Sequence, residues 1–227
     1  MGKCTKRIVV RIEISTLSSA DGKFNHRKMD RLAMVLSNLN NSGKQVLVVT
    51  SGAIALGSDK LNLKRQPQSF TDMQATAAIG QAELIRFYQH YFDQYNQIVA
   101  QVLLTSDIME NQIRVTNTQN TFNTLLDMNI IPIINENDTV STTDIELDDN
   151  YPLALNVAKI AEADLILIKM DTNSKFIIQP RGSIPAKIVS DESELFDELE
   201  NTFVELEHDT LNESGFPESI AQIVVNK

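Results

Sequence analysis

The sequence predicts an α/β fold, a three-layer αβα sandwich around a mainly parallel central sheet. Three observations carry this reading. Short apolar runs with strand character alternate with longer segments of helical period. The first unit reads strand–helix–strand, and two parallel neighbours need such a crossover. Polar, small-residue segments follow the apolar runs, where open parallel sheets bind their ligands.

Arg7 to Ile14 is the predicted first strand. Ile8, Val10, Ile12 and Ile14 point one way, and Arg7, Val9, Arg11 and Glu13 the other. Asp21–Gly22 marks a turn. From His26 to Asn40 the period lengthens: Met29, Leu32, Ala33, Leu36 and Leu39 form a helical stripe, and Asn25 is placed to cap it. Asn41–Ser42–Gly43 ends that helix, and Gln45 to Thr50 is a short apolar strand. Thr71 to Tyr95 is mostly helical, Ile98 to Leu104 a strand, Asn117 to Asp127 a helix and Ile130 to Ile134 a strand. Pro132 argues against a central position for that last strand, because proline cannot donate to a ladder. Pro152 to Glu162 is a helix with proline in its first turn and Asp149 or Asn150 as cap. Asp164 to Ile168 is a strand, and Lys175 to Ile178 a hairpin strand. Pro180 to Pro185 reads as a loop, and the acidic stretch Asp191 to Phe203 as a short surface helix.

Composition bounds the function. The 227 residues read as one domain, 1–227, without a composition shift that would mark a second. Thirty acidic residues against 20 basic ones give a net charge of −10, which disfavours nucleic acid as a partner. One cysteine, Cys4, excludes an internal disulfide, and His26, His90 and His208 sit in no metal-binding motif. No apolar run is long enough to span a membrane, and the start is too short for a signal peptide. A cytoplasmic protein is the expectation.

Four segments stand where a ligand would bind. Thr50 to Gly57 follows a strand with small residues whose N–H groups can approach an anion; a tight strand-to-helix turn explains it equally. Ile134–Asn135–Glu136–Asn137–Asp138–Thr139–Val140 offers polar side chains to an ammonium, a carboxylate or a metal, or simply makes Asx turns. Asp148–Asp149–Asn150 precedes a helix, where capping accounts for one residue and a ligand for the others. Lys169 to Ser174 leaves a strand with Asp171 facing either a nucleotide or solvent.

These segments, in this order and spacing, resemble the glutamate 5-kinases of the amino-acid kinase family over nearly the whole chain. The most specific matches are Val49 to Gly57, Ala78–Ile79–Gly80–Gln81, Gln101 to Thr105 and Pro132 to Asp138. The resemblance implies an eight-stranded αβα sandwich that moves the γ-phosphoryl group of ATP, with Mg²⁺, onto the side-chain carboxylate of L-glutamate, opening proline synthesis. It implies that Ser51, Gly52 and the following backbone hold glutamate, and that Asp138, Asp149 and Asn150 hold its amino-acid end. Arg11 would draw charge from the transferring phosphoryl. Ser15, Met170, Asp171 and Ser219 would line the nucleotide, with Asp171 also catalytic. No resident metal ligand is implied. A homo-oligomer, dimer or tetramer, is.

The departures cluster on the phosphoryl side. The family's Lys-x-Gly-Thr/Ser-Ser is here Arg11–Ile12–Glu13–Ile14–Ser15, so an arginine replaces a lysine and Glu13 brings negative charge beside phosphate. Leu147–Asp148–Asp149–Asn150 replaces Gly-Asp-Asn-Asp, putting Asp149 where an amide donor is expected. Met170–Asp171 replaces Thr-Asp, and Ser219 falls at the final phosphate-binding lysine. Against the resemblance the chain reads as C-terminally shortened, without the last strands of the kinase domain or a PUA domain. Two functional readings follow: an active glutamate kinase, and a catalytically impaired relative that binds an amino acid or another protein.

Overall fold

The computed structural model describes residues 7–12, 25–140, 150–170, 175–180 and 187–189. In chain order the elements are β1 (Arg7–Ile12), α1 (His26–Asn41), β2 (Gln45–Thr50), α2 (Ala53–Lys60), α3 (Phe70–Phe92), β3 (Val99–Leu104), α4 (Gln112–Asp127), β4 (Ile131–Glu136), α5 (Tyr151–Ile160), β5 (Leu165–Met170), β6 (Lys175–Pro180) and β7 (Lys187–Val189). Among the described residues the strands form one sheet in the order β3-β4-β2-β1-β5-β6-β7. The pairs among β1 to β5 are parallel, and β6 and β7 join antiparallel. This is the predicted sandwich, with seven strands among the described residues.

Strand order dictates the layers. From β1 the chain steps outward to β2 and then to the edge at β3. It returns through β4 and crosses to β5 on the far side of β1. Right-handed crossovers put helices from opposite travel directions on opposite faces. Accordingly α1 and α3 cover one face, packing on Ile8, Val10, Ile12, Val46 and Val48. Helices α4 and α5 cover the other, on Val9, Leu47, Val49 and Ile134. The predicted alternation of β1 is therefore correct, but neither side of this central strand meets solvent. Arg11 lies on the α4–α5 side and is only 5% exposed.

Helix ends follow their caps. Asn25 Oδ1 accepts from the backbone N–H groups of Arg27 and Lys28 at 3.1 and 3.2 Å, as predicted. Asn111 Oδ1 does the same for Ile113 and Arg114, which starts α4 five residues before the predicted Asn117. The early turn was not legible because it carries no apolar stripe: Ile113 is exposed. Pro132 is a correction. It lies in β4, an interior strand between β3 and β2, and pairs with Ala100. The ladder to β2 is formed at Ile133 and Ile134, past the missing N–H. Strand β5 is also longer than predicted, because Lys169 and Met170 pair with Phe176 and Lys175 of β6. Asp171 and the stretch Asp191 to Phe203 lie outside the described residues.

Candidate functional site

The carboxyl ends of β2 and β4 lie side by side, with β1 and β5 next in the sheet. Thr50 closes β2. Its Oγ1 accepts from the Tyr88 hydroxyl of α3 at 2.9 Å. Burial pushes the Tyr88 phenol up to about 12, so it remains a donor. Ser51 follows, 5% exposed, and its Oγ has no hydrogen-bond partner among the described residues. Gly52 then takes φ +100°, a left-handed conformation that costs a side-chain-bearing residue about 1–2 kcal/mol. It occupies the N-cap of α2 with no side chain to satisfy the first N–H groups. Those donors and the Ser51 hydroxyl form a set suited to an anionic ligand. Thr50 to Gly57 is thus the strand-to-helix turn that the sequence allowed.

Helix α2 sits here because two glycines let it. A Cβ on Gly57 would lie 2.1 Å from the Thr76 carbonyl oxygen, and one on Gly80 would lie 1.6 Å from that of Ala53. Helices α2 and α3 thus touch backbone to backbone.

From β4 comes the second wall. Asn135 and Glu136 belong to the strand rather than to the loop that was expected, and Asn135 is buried. Asn150 stands at the N-cap of α5, yet its side chain caps nothing. Its Nδ2 instead donates to the Thr50 carbonyl oxygen at 2.5 Å and to Asn135 Oδ1 at 2.8 Å. One amide therefore ties β2, β4 and α5 together. Capping, the plain explanation for this residue, is excluded by the geometry.

Beyond β4, the Asn137 N–H donates to the Leu104 carbonyl oxygen at 2.6 Å, and the Thr139 hydroxyl donates to Asn137 Oδ1 at 2.6 Å. Gln81 Nε2 of α3 donates to the Glu136 carbonyl oxygen at 3.0 Å. Glu136 Oε1 accepts from the Ser106 N–H at 2.9 Å. Burial raises the Glu136 pKa, Asp138 and Asp107 add to the rise, and the Ser106 bond opposes it. Burial also lifts Asp138, from the ordinary 3.8 to about 6. Arg114, exposed near the start of α4, pairs with Asp107 at 3.3 Å.

Of the predicted site residues, Ser51, Gly52 and Asn150 converge on the ends of β2 and β4, and Asp138 follows β4 by two residues. Arg11 lies in the neighbouring strand β1, in register with Val49 on one side and Ile168 on the other. Met170 ends β5 within the strand instead of in a loop. Ser15, Asp149, Asp171 and Ser219 lie outside the described residues. Sequence reasoning missed Tyr88, Gly80 and Gln81 as parts of the site. Ala78–Ile79–Gly80–Gln81 stood out as a pattern, but its role depends on contacts across dozens of residues.

A family model described as "Amino acid kinase family" matches residues 6–191. The chain belongs to the amino acid kinase family. Among its relatives is "Glutamate 5-kinase" of Listeria monocytogenes serotype 4b (strain CLIP80459), 42% identical over 202 residues, which are 87% of this chain and 73% of the relative. "Glutamate 5-kinase" of Clostridium perfringens (strain 13 / Type A) is 39% identical over 202 residues, 87% of this chain and 75% of the relative. "Glutamate 5-kinase" of Caldanaerobacter subterraneus subsp. tengcongensis is 42% identical over 193 residues, 85% of this chain and 52% of the relative. The αβα architecture is that of the amino acid kinases, and kinase chemistry is the function this membership supports. Among the described residues, no helix is long and apolar enough to cross a membrane.

Proposed function

We propose that this amino acid kinase phosphorylates the side-chain carboxylate of L-glutamate at the expense of ATP. The observation that carries the proposal is the Asn150 amide, which locks Thr50 and Asn135 beside the free hydroxyl of Ser51. An amide was expected one residue earlier, at Asp149. Asn150 carries that amide, but both Nδ2 hydrogens go to Thr50 and Asn135, so its part is to align the two walls.

In this reading the Ser51 hydroxyl and the α2 N–H groups receive glutamate carboxylate, and the Asp138 carboxylate receives its ammonium. Arg11 is the described cation nearest in the sheet to both walls and fits a transferring phosphoryl group. A glutamate carboxylate oxygen attacks the γ-phosphorus, the bond from that phosphorus to the bridging oxygen breaks, and ADP leaves with the electron pair. Mg²⁺, which the family uses with ATP, would offset phosphate charge when bound. The protein's own part is to orient glutamate and to hold positive charge at the end of β1. The test is glutamate-dependent ADP release by the purified chain. No release above blank at millimolar substrates rejects the proposal.

A second reading, an amino-acid-binding relative without turnover, is favoured by Glu13 and Ser219 on the phosphoryl side. Titration calorimetry separates the two, since glutamate binding without ADP release supports only this second reading. The homo-oligomer implied by the resemblance is carried forward as part of the proposal, with light scattering of the purified chain as its test.

Two predictions arise at these residues. Asn150→Ala removes the donor from a buried carbonyl, which costs about 1–3 kcal/mol. It is expected to raise the glutamate KM at least about tenfold, a loss of roughly 1.4 kcal/mol in binding. Asp138 must be ionised to hold an ammonium, so kcat/KM for glutamate is expected to fall about tenfold per pH unit below about 6. Its raised pKa also has a stability consequence. Between about pH 4 and 6 the folded state binds more protons than the unfolded one, so stability falls as pH rises through that window. Asp138→Asn is expected to flatten that slope in thermal melts. A melting temperature that rises with pH over this range in the parent protein would contradict the assignment.

A further inference from the structure

We infer that Gln81 is a positioning residue that fixes the two walls of the glutamate site relative to each other, an inference that rests on the proposed function for the site's identity. Gln81 is 5% exposed in the middle of α3. Its Nε2 holds the Glu136 carbonyl oxygen at 3.0 Å, two residues before Asp138. Its neighbour Gly80 presses on the Ala53 carbonyl in the first turn of α2, next to Ser51 and Gly52. Adjacent residues of one helix therefore grip the serine wall and the aspartate wall.

The other end of the amide shows what it is for. Gln81 Oε1 is buried and has no hydrogen-bond partner among the described residues. An orphaned acceptor costs stability. A methionine would fill nearly the same volume without that cost. A side chain retained for packing alone would not be an amide here, and the one bond it makes lands on the segment that carries Asp138. Position matters at this point because displacing a ligand-holding loop by about 1 Å costs up to about a hundredfold in rate.

The experiment compares the full chain with Gln81→Met and the near-isosteric Gln81→Glu, which keeps the shape and loses the amide donor. Hydrogen exchange of the unliganded protein is read over residues 137–140 and 51–54, with thermal melts alongside. Exchange is expected to rise about tenfold in both segments and to stay unchanged in α1 and α4, with melting temperatures within a few degrees of the parent. In turnover, the glutamate KM is expected to rise about tenfold while kcat and the ATP KM change less than about threefold. Unchanged exchange in both segments overturns the inference. So does a general rise across the molecule with a lowered melting temperature, which marks a purely structural side chain. If Gln81→Met does not fold, Gln81→Glu carries the same comparison. If the parent protein neither binds nor turns over glutamate, the proposed function fails, while the exchange data still judge Gln81.

Discussion

Gly80→Ala is expected to lower the melting temperature by roughly 2–12 °C and glutamate kcat/KM by about a hundredfold. The added methyl would stand 1.6 Å from the Ala53 carbonyl oxygen, 2.6 Å from its carbon and 2.8 Å from the Gly57 nitrogen. All three are backbone atoms, so no side-chain rotation relieves the contact. Helix α2 must move away from α3, and α2 begins at the Ser51–Gly52 corner of the site. Overpacking of a well-filled contact costs about 1–3 kcal/mol. For a chain of this size each kcal/mol shifts the midpoint by roughly 2–4 °C. The rate falls further than stability alone explains, because the N–H donors of α2 leave their position. Gly43→Ala is the control. Its φ of +87° carries backbone strain, but nothing lies within 4 Å of the added carbon. It should cost about 1–2 kcal/mol and leave the glutamate KM unchanged. Melts and steady-state kinetics on the two variants check both statements. Equal behaviour of the two would show that close helix contact is not what builds the corner.

The contrast between these glycines explains how much could be read from sequence. Local signals were legible: the apolar alternation of β1, the stripe of α1, its Asn25 cap and the order of elements that fixes a parallel sheet. Their outcome depends on neighbours within a few residues. Pro132 misled because a strand's place in the sheet is decided by distant partners, and the ladder to β2 starts beyond it. The site was legible as segments and not as contacts. Asn150 looked like a cap because capping is what asparagine does before a helix. Its actual partners are Thr50, 100 residues away, and Asn135. Tyr88 carries no local chemical signature, and Gly80 and Gln81 stood out only as part of a pattern that does not state their role. A tyrosine and a glutamine in a helix read as packing and surface until the fold brings them to the ends of β2 and β4.

Arg11→Met is expected to leave the protein folded and to reduce kcat by about a hundredfold to a thousandfold, with little change in the glutamate KM. Arg11 stands near the end of β1, 5% exposed, in a strand flanked by β2 and β5. A charge so placed is largely removed from water, and a long charged side chain is rarely buried without a task. Methionine fills much of the same space, so packing survives while the charge does not. The split between kcat and KM is the diagnostic: in the proposed mechanism Ser51 and Asp138 would hold glutamate, whereas Arg11 would act on charge that develops only as the phosphoryl group transfers. Arg11→Lys then separates charge from shape. A lysine offers a compact point charge where the guanidinium offers a planar fork. If only net charge matters, Arg11→Lys should keep activity within about threefold of the parent; if the fork grips two phosphoryl oxygens at once, it should fall at least about tenfold. Undiminished kcat in Arg11→Met would mean that the phosphoryl group meets a different cation, and would remove Arg11 from the proposed mechanism.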